Sequence, residues 1–527
     1  MPATPRSGGH PDRQRRALVA FVAAVAIAAG CQSPTATSTP SVGPTASAGS
    51  VLTPKPSSQP SVSSSAAASP SASVAASASA ASGTWASAGK MATARTGPQA
   101  TLLGDGRVLV VGGAPSGEVT GESTKVELWD PATGDWRTTD SLNKARADFA
   151  LVTLADGRAL VIGGRNQADQ SYSSVYAFDP RPGKETWSKV GVLDTARTDP
   201  MAVVLADGRV LVSGGYRRSK PSEGAMPGAR IVLAAYSPDD GGADGSERAR
   251  LADVEPPNVG RALATAEIFD PTTGKSSSTG PMAFARFGAG AVMLDDGRVL
   301  VAGTSGSDGG VTVDDTAADN AEIYDPATGR FTSAGRLPGI DRQALEQQGA
   351  KGANPVPEED PAPAANGALV ASGAGDAVLI GHAGWWKHAG DITRSFRFDA
   401  ASGRWSEIGQ TWINVGEPEP VVLDTPGVRN LSGAMATGLP GGQVLVAGGG
   451  ATSPNGSSSA AADQGAAAEH YDPATDTWSA LPPMPDARAS GAAVTLGDGS
   501  AVLIGGYRDL PDTTEYLASA TRFVLGP

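Results

Sequence analysis

Five arginines recur in one register of this chain. Arg95, Arg146, Arg197, Arg286 and Arg488 each lie ten residues before the Asp of an Asp-Gly turn. A guanidinium stays charged at neutral pH and offers a fork of donors that matches a carboxylate or sulfate. Five of them converging on one opening would hold a carboxylate, a sulfated sugar or a uronic sugar. The competing role is structural. Asp148 and Asp199 follow two residues after Arg146 and Arg197, so on a strand they share a side with them. Arg–Asp pairs between neighbouring repeats would then neutralise the ring. A second candidate is Trp385-Trp386, flanked by His382 and His388. The tryptophans suit a stacking platform for a sugar ring, or the packing of a long loop. Two histidines six residues apart in a Gly-containing loop are a weak metal signal. Asp308, Asp314, Asp315 and Asp319 supply the oxygens that calcium takes, but their spacing fits no EF-hand and reads as a solvated acidic loop. No nucleophile elbow, phosphate loop or HExxH motif occurs. No catalytic residue, metal site or cofactor is therefore assigned.

The elements that position these residues come from an internal repeat. The segment Asp105-Gly106-Arg107-Val108-Leu109-Val110-Val111-Gly112-Gly113 returns six more times, with the first glycine at 163, 214, 303, 381, 448 and 505. The shortest spacings give a unit of about 50 residues. Each unit holds four strand signals. A segment such as 99–103 runs into Asp-Gly, a tight-turn signal. Val108–Val111 returns as an unbroken apolar run, suited to a strand covered on both faces. A third strand follows at Val126–Trp129, 175–178, 266–269, 321–324, 395–398 and 468–471. Asp-Pro-Ala-Thr-Gly or a relative closes it, because Pro cannot continue the ladder. A fourth begins at Trp136, Trp187, Ser276, Phe331, Trp405 or Trp478.

This grammar resembles kelch-repeat propellers over residues 84–527. It implies an all-β fold, a seven-bladed kelch-type β-propeller with four antiparallel strands per blade. The last unit ends on its third strand at Arg522-Phe523-Val524, and Gly83-Thr84-Trp85 looks like an orphan fourth strand. Together they complete the last blade, so the N-terminal strand closes the ring and removes the open edge. Strand parity then sorts the connections. The Asp-Gly and Pro-Ala-Thr-Gly turns lie on one face and stay short. The insertions at about 216–263, 304–318, 332–364, 382–394, 406–430 and 450–466 lie on the other, where the arginine register also begins. Loops on a rigid scaffold are where binding is expected.

Composition agrees and narrows the class. The chain of 527 residues holds 68 Gly and 40 Pro, which disfavour helix. Its formal charge of −13 argues against nucleic acid. One cysteine excludes a disulfide framework. Arg13, Arg15 and Arg16 precede an apolar run, 17–29, too short to span a bilayer but suited to an export signal. Ala28-Ala29-Gly30-Cys31 resembles the lipobox of bacterial lipoproteins, which implies cleavage of the leader and acylation of Cys31. Residues 1–31 are thus expected to be signal peptide and lipobox, 32–83 a Ser/Ala/Pro/Thr linker that cannot bury a core, and 84–527 the propeller. The linker would reach roughly 40 Å as a coil. The expected location is the outer face of a bacterial cell membrane, with the lipid anchor as the membrane contact and the protein monomeric.

The Ala-Arg…Asp-Gly-Arg-Val pattern is also similar to the propeller of galactose oxidase, in which an Arg of this register contacts the sugar. That family's copper-radical centre needs a cysteine cross-linked to tyrosine, a second tyrosine and two histidines. This chain has one cysteine, the expected lipidation site, so oxidase activity is not inferred from the fold. The residues favour a non-catalytic module that binds a glycan or protein through the long-loop face, with Arg95, Arg146, Arg197, Arg286, Arg488, Trp385 and Trp386 as contacts. The alternative is a carbohydrate-active hydrolase or lyase using loop carboxylates.

Overall fold

The computed structural model describes residues 82–115, 123–166, 168, 170–218, 260–303, 307–308, 311–312, 319–338, 362–363, 368–386, 390–408, 412–413, 433–449, 465–510 and 513–526. The leader, Cys31 and nearly all of the linker lie outside them.

Each repeat forms an antiparallel sheet with four principal strands, and in blade 5 two short strands, Ala362–Pro363 and Trp412–Ile413, add to it. Blade 1 is Gln99–Leu102, Val108–Val111, Val126–Trp129 and Trp136–Thr138. Blade 2 is Ala150–Thr153, Ala159–Ile162, Ser174–Asp179 and Thr186–Val192. Blade 3 is Met201–Val204, Val210–Ser213, Ala266–Asp270 and Lys275–Thr279. Blade 4 is Gly290–Met293, Val299–Ala302, Asn320–Asp325 and Arg330–Arg336. Blade 5 is Ala368–Ala371, Ala377–Trp386, Gly390–Asp399 and Arg404–Glu407. Blade 6 is Met435–Gly438, Val444–Ala447, Ala468–Asp472 and Thr477–Ala480. Blade 7 is Ala492–Thr495, Ala501–Ile504, Ser519–Leu525 and, from the other end of the chain, Gly83–Lys90. The first strands touch one another in a closed cycle, blade 1 to blade 7 and back. This is the seven-bladed propeller that the repeats predict.

The apolar second strands sit where both faces are covered. Val108–Val111 and Ala159–Ile162 are buried at every position. Among the described residues seven core clusters sit one at each junction between neighbouring blades, and a smaller eighth gathers Tyr216, Ala262 and Phe287. Each fully buried Val or Leu contributes roughly 1.5–3 kcal/mol there.

The paired glycines are the joints between blades. Gly214 has φ 63°, and a Cβ on it would lie 2.6 Å from the carbonyl oxygen of Arg286 in the next blade. Its neighbour Gly215 donates its N–H to that same carbonyl at 2.9 Å. Gly164 to Arg197, Gly449 to Arg488 and Gly506 to Arg95 repeat the bond at 2.8, 3.0 and 2.9 Å. The last of these joins blade 7 to blade 1. In blade 5 the second glycine is His382, and the ladder does not stop. Of the residues expected as an inserted loop, 382–394, the described ones instead extend the second strand to Trp386 and start the third at Gly390. Shorter hairpins follow the second strands of blades 3, 4 and 7, at Tyr216–Arg217 with Arg261–Ala262, Ser307–Asp308 with Val311–Thr312, and Tyr507–Leu510 with Thr513–Tyr516. On the opposite face the Asp-Gly-Arg turns are short. Asp105 accepts from the backbone N–H of Arg107 at 3.1 Å and from its Nε at 3.0 Å, and the same pair recurs at Asp156, Asp207 and Asp296.

Polar residues break the apolar pattern in the third strands of blades 5, 6 and 7, at Arg397, His470 and Arg522, and of these His470 is the buried one. Leu128, Ile268 and Ile323 occupy the middle of their third strands, and His470 stands there in blade 6. It is 6 % exposed and neither ring nitrogen has a hydrogen-bond partner. Burial pushes its pKa below the usual 6.5, against a smaller pull from Asp472. The unfolded chain therefore binds a proton there more readily than the folded one, and stability rises with pH through this window. Below about pH 6.5 the protein loses stability that His470→Leu retains. The variant also removes an unsatisfied buried group, a gain of about 1–3 kcal/mol. Urea unfolding of both proteins at pH 7.5 and 5.5 checks this. An identical pH slope in the two would show that His470 does not carry the effect.

Candidate functional site

The five arginines do not line an opening. Arg95, Arg146, Arg197 and Arg286 are 0 % exposed and Arg488 is 1 % exposed. Each reaches along its own blade and donates Nη1 to the carbonyl of the first glycine of its joint, 17 residues on. The distances are 3.0 Å to Gly112, 2.9 Å to Gly163, 2.9 Å to Gly214, 3.1 Å to Gly303 and 3.2 Å to Gly505. In blades 1, 3 and 4 a third-strand glutamate completes the site. Glu127 pairs with Arg95, Glu267 with Arg197 at 2.8 Å, and Glu322 with Arg286 at 2.9 Å. The same carboxylates accept backbone N–H groups of Ala92, Asp194 and Ala283, each at 2.6 Å, three residues before the arginine. Side chain and carboxylate thus staple the inter-blade connection to the sheet.

Blades 2 and 7 solve the charge differently. Tyr176 takes the glutamate position beside Arg146, whose guanidinium carbon lies 4.7 Å from the Tyr172 ring and 5.0 Å from the Tyr176 ring. Thr521 takes it beside Arg488 and accepts from Nη2 at 3.2 Å. Burial pulls the Arg488 guanidinium down to about 10, against the attraction of Asp486 at 3.8 Å. In Arg197 burial likewise outweighs the raising effect of Glu267.

The expected Arg–Asp pairing between repeats is replaced by these Arg–Glu pairs, for a backbone reason. Asp148 and Asp199 are not on extended strand, with φ of 51° and 52°. Their blades' first strands start only at Ala150 and Met201. The position two residues after the arginine is left-handed in other blades too, at Gly97, Gly288 and Ser490, and likewise at Gly433 in blade 6. These residues form a rim around the axis, joined by backbone bonds. Gly97 donates to Ser490 at 2.8 Å, Ser490 to Gly433 at 2.8 Å, and Asp199 to Asp148 at 2.6 Å. Glycine adopts this conformation freely and Asp tolerates it locally. Over blades 2 and 3 the rim is therefore polar where elsewhere it is mostly glycine.

Side chains gather on that sector. Asp148 pairs with Arg165, which follows the glycine joint of blade 2. Ser171 and Thr198 share a hydrogen bond of 2.7 Å, and the Arg218 N–H donates to Ser171 at 3.0 Å. Asn166 donates to Gln170 at 3.2 Å. Tyr172 is half-buried beside them. Sequence reasoning passed over this sector, although Asp in place of Gly at the rim register marks it.

The other candidates lie apart. Trp385 and Trp386 are in the extended second strand of blade 5, paired through the backbone with Asp391 and Gly390. His382 is on the same strand, opposite Arg394, and His388 lies outside the described residues. Asp308 ends the first short strand of the blade 4 hairpin, opposite Val311, Asp319 pairs with Arg336 at 3.1 Å, and Asp314 and Asp315 lie outside the described residues. A groove of about 430 Å³ beside the closing strand is lined by Lys90, Trp136 and Arg137. Among the described residues no group of three or more His, Cys, Asp or Glu is placed to hold a metal ion.

Comparison with known proteins agrees with the repeat reading. Residues 146–191 match the Kelch motif. The chain is 35 % identical over 66 residues to Kelch-like protein 35 of Mus musculus, a match covering 12 % of this chain and 11 % of that protein. It is similar in fold to a solved structure described as a novel fungal alcohol oxidase of the AA5 family in complex with copper. That likeness has a TM-score of 0.50 and 16 % identity, over 84 % of this chain and 76 % of the other.

Proposed function

We propose that this propeller is a non-catalytic binding module that takes a glycan on its axial rim, over blades 2 and 3. Its place is the outer face of a bacterial membrane, held there by lipid on Cys31. The observation that carries the binding reading is the Asp148–Asp199 step. Two carboxylates occupy adjacent left-handed positions where glycine would be free of strain, and strain kept at a polar rim points to use. Around them stand a guanidinium, an amide, hydroxyls and a half-buried tyrosine ring. That mixture suits the hydroxyls and apolar faces of a sugar. The paired strands that follow the second strands of blades 3 and 7 adjoin the rim, where Tyr216 bridges Thr198 and Tyr507 bridges Ala489.

Asp148→Gly tests it. The glycine relieves the left-handed strain, worth about 1–2 kcal/mol, and gives up a partly buried ion pair to Arg165, whose hydrogen bond to a charged group is worth about 1.5–3 kcal/mol. The two effects oppose each other, so the variant melts within a few degrees of wild type and weakens binding on a glycan array at least tenfold, about 1.4 kcal/mol. A variant that melts lower and binds its glycan unchanged would make the aspartate structural and remove the rim from function. For the anchor, Cys31→Ser shifts the protein out of the membrane fraction, and unchanged fractionation would count against lipidation.

A further inference from the structure

The blade 3 hairpin carries a pairing that isolated sheet energetics oppose. Tyr216–Arg217 and Arg261–Ala262 run antiparallel, with Arg217 directly opposite Arg261. Residues so placed have Cβ atoms about 5 Å apart, and like charges there destabilise the pair. Both arginines are exposed. Neither meets a carboxylate or other hydrogen-bond acceptor among the described residues, in a chain with a formal charge of −13. An acidic protein has carboxylates to spare for surface arginines elsewhere, as the partly buried Arg158 and the exposed Arg209 on the opposite face illustrate. The hairpin itself is firmly seated. Tyr216 is 1 % exposed and packs edge-on against Phe287, with ring centroids 5.2 Å apart. The Arg218 guanidinium lies over the Tyr216 ring at 5.4 Å. Thr198, which touches Ser171 of the rim sector, bridges the backbone of Tyr216.

We infer that Arg217 and Arg261 form an oxyanion site that receives the sulfate or carboxylate of an anionic ligand held at the adjoining rim. Two guanidiniums carried on directly opposed residues can both donate N–H groups to the oxygens of one such group, and the anion converts the cross-strand repulsion into attraction. This inference rests on the rim-binding reading and narrows its ligand to a sulfated or uronic glycan. A free oxyanion has the same chemistry. The rival occupant belongs to the chain itself, since the segment between the two strands contains Asp239, Asp240, Asp244 and Glu247.

The experiment uses the full-length protein with dextran sulfate, neutral dextran and inorganic sulfate at constant ionic strength. Wild type binds dextran sulfate, and Arg217→Gln with Arg261→Gln raises the Kd at least tenfold. The double variant melts no lower than wild type, because a repulsive pair is gone. Arg158→Gln on the opposite face changes nothing. Sulfate also raises the wild-type melting temperature beyond equal-strength chloride by more than it does for the double variant. Inorganic sulfate that binds as tightly as dextran sulfate supports the site and assigns it a free anion. An unchanged Kd in the double variant overturns the site while leaving rim binding of glycans standing. Failure of the wild type to bind any sulfated probe also overturns it. Sulfate binding that appears only after Asp239, Asp240, Asp244 and Glu247 are neutralised assigns the arginines to the chain's own carboxylates and overturns an external ligand.

Discussion

Arg197→Ala lowers the unfolding free energy by about 3–5 kcal/mol, the range for removing one partner of a buried ion pair. The substitution strips donors from the Gly214 and Thr265 carbonyls, at 2.9 Å each. It leaves Glu267, 1 % exposed, with only the N–H groups of Asp194 and Thr195 and the Ser276 hydroxyl. A carboxylate so buried and short of its cation is expensive. Natural domains have only about 5–15 kcal/mol in hand, so the effect is visible in any denaturation curve. Removing both partners, as Arg197→Met with Glu267→Leu, recovers much of the loss because no charge remains stranded. Ligand affinity stays the same in whichever variant folds. The reverse pattern, wild-type melting with lost binding, would return the arginine register to the ligand site.

That reversal is worth testing because the register was legible in the sequence while its destination was not. Ten residues to the Asp of the turn, and 17 to the glycine of the joint, are fixed spacings within one hairpin. The glutamate partners lie 32, 70 and 36 residues away, because insertions of different length separate the second and third strands. A fixed-offset reading therefore finds the near Asp148 and Asp199 and passes over Glu127, Glu267 and Glu322. A signal existed: each glutamate stands two residues before the aromatic at or next to the end of its third strand, Trp129, Phe269 or Tyr324. The seven blades were legible for the opposite reason. Their strands, turns and glycine joints depend on contacts inside a repeat or with an equivalent neighbour, so each copy restates them. The hairpins and the Asp148–Asp199 step of the rim have no such repetition. Arg217 opposite Arg261 follows from a backbone register set across 43 intervening residues, and periodicity carries no information about it.

Deleting Gly83–Lys90 leaves a propeller that does not stay folded or soluble, while deleting 32–80 leaves melting unchanged. The strand pairs with Ser519–Leu525 from Gly83 opposite Leu525 to Lys90 opposite Ser519. It reproduces from a distant part of the chain what every other blade builds locally. Trp85 lies 4.7 Å from Phe523, ring to ring, as Trp187 lies 5.2 Å from Phe178. Its Nε1 donates to the Pro482 carbonyl at 2.7 Å, as that of Trp187 donates to Asp140 at 3.1 Å. Loss of the strand exposes Phe523, now 0 % exposed, and a row of unpaired backbone groups on the third strand. Each lost hydrogen bond is worth about 1 kcal/mol and the uncovered aromatic about 1.5–3 kcal/mol, which together approach a domain's whole stability. An exposed edge of this kind also recruits other chains. Rescue separates this mechanism from general damage. The Gly526 N–H donates to the Ser82 carbonyl at 2.7 Å, so the two ends already meet where a hairpin would turn. Moving Gly83–Lys90 to follow residue 526 through an Asn-Gly turn restores the same register, and with it the melting temperature and the monomeric state. A rescued chain that still aggregates, or a deletion that melts like wild type, would mean that the ring is closed by something other than this strand.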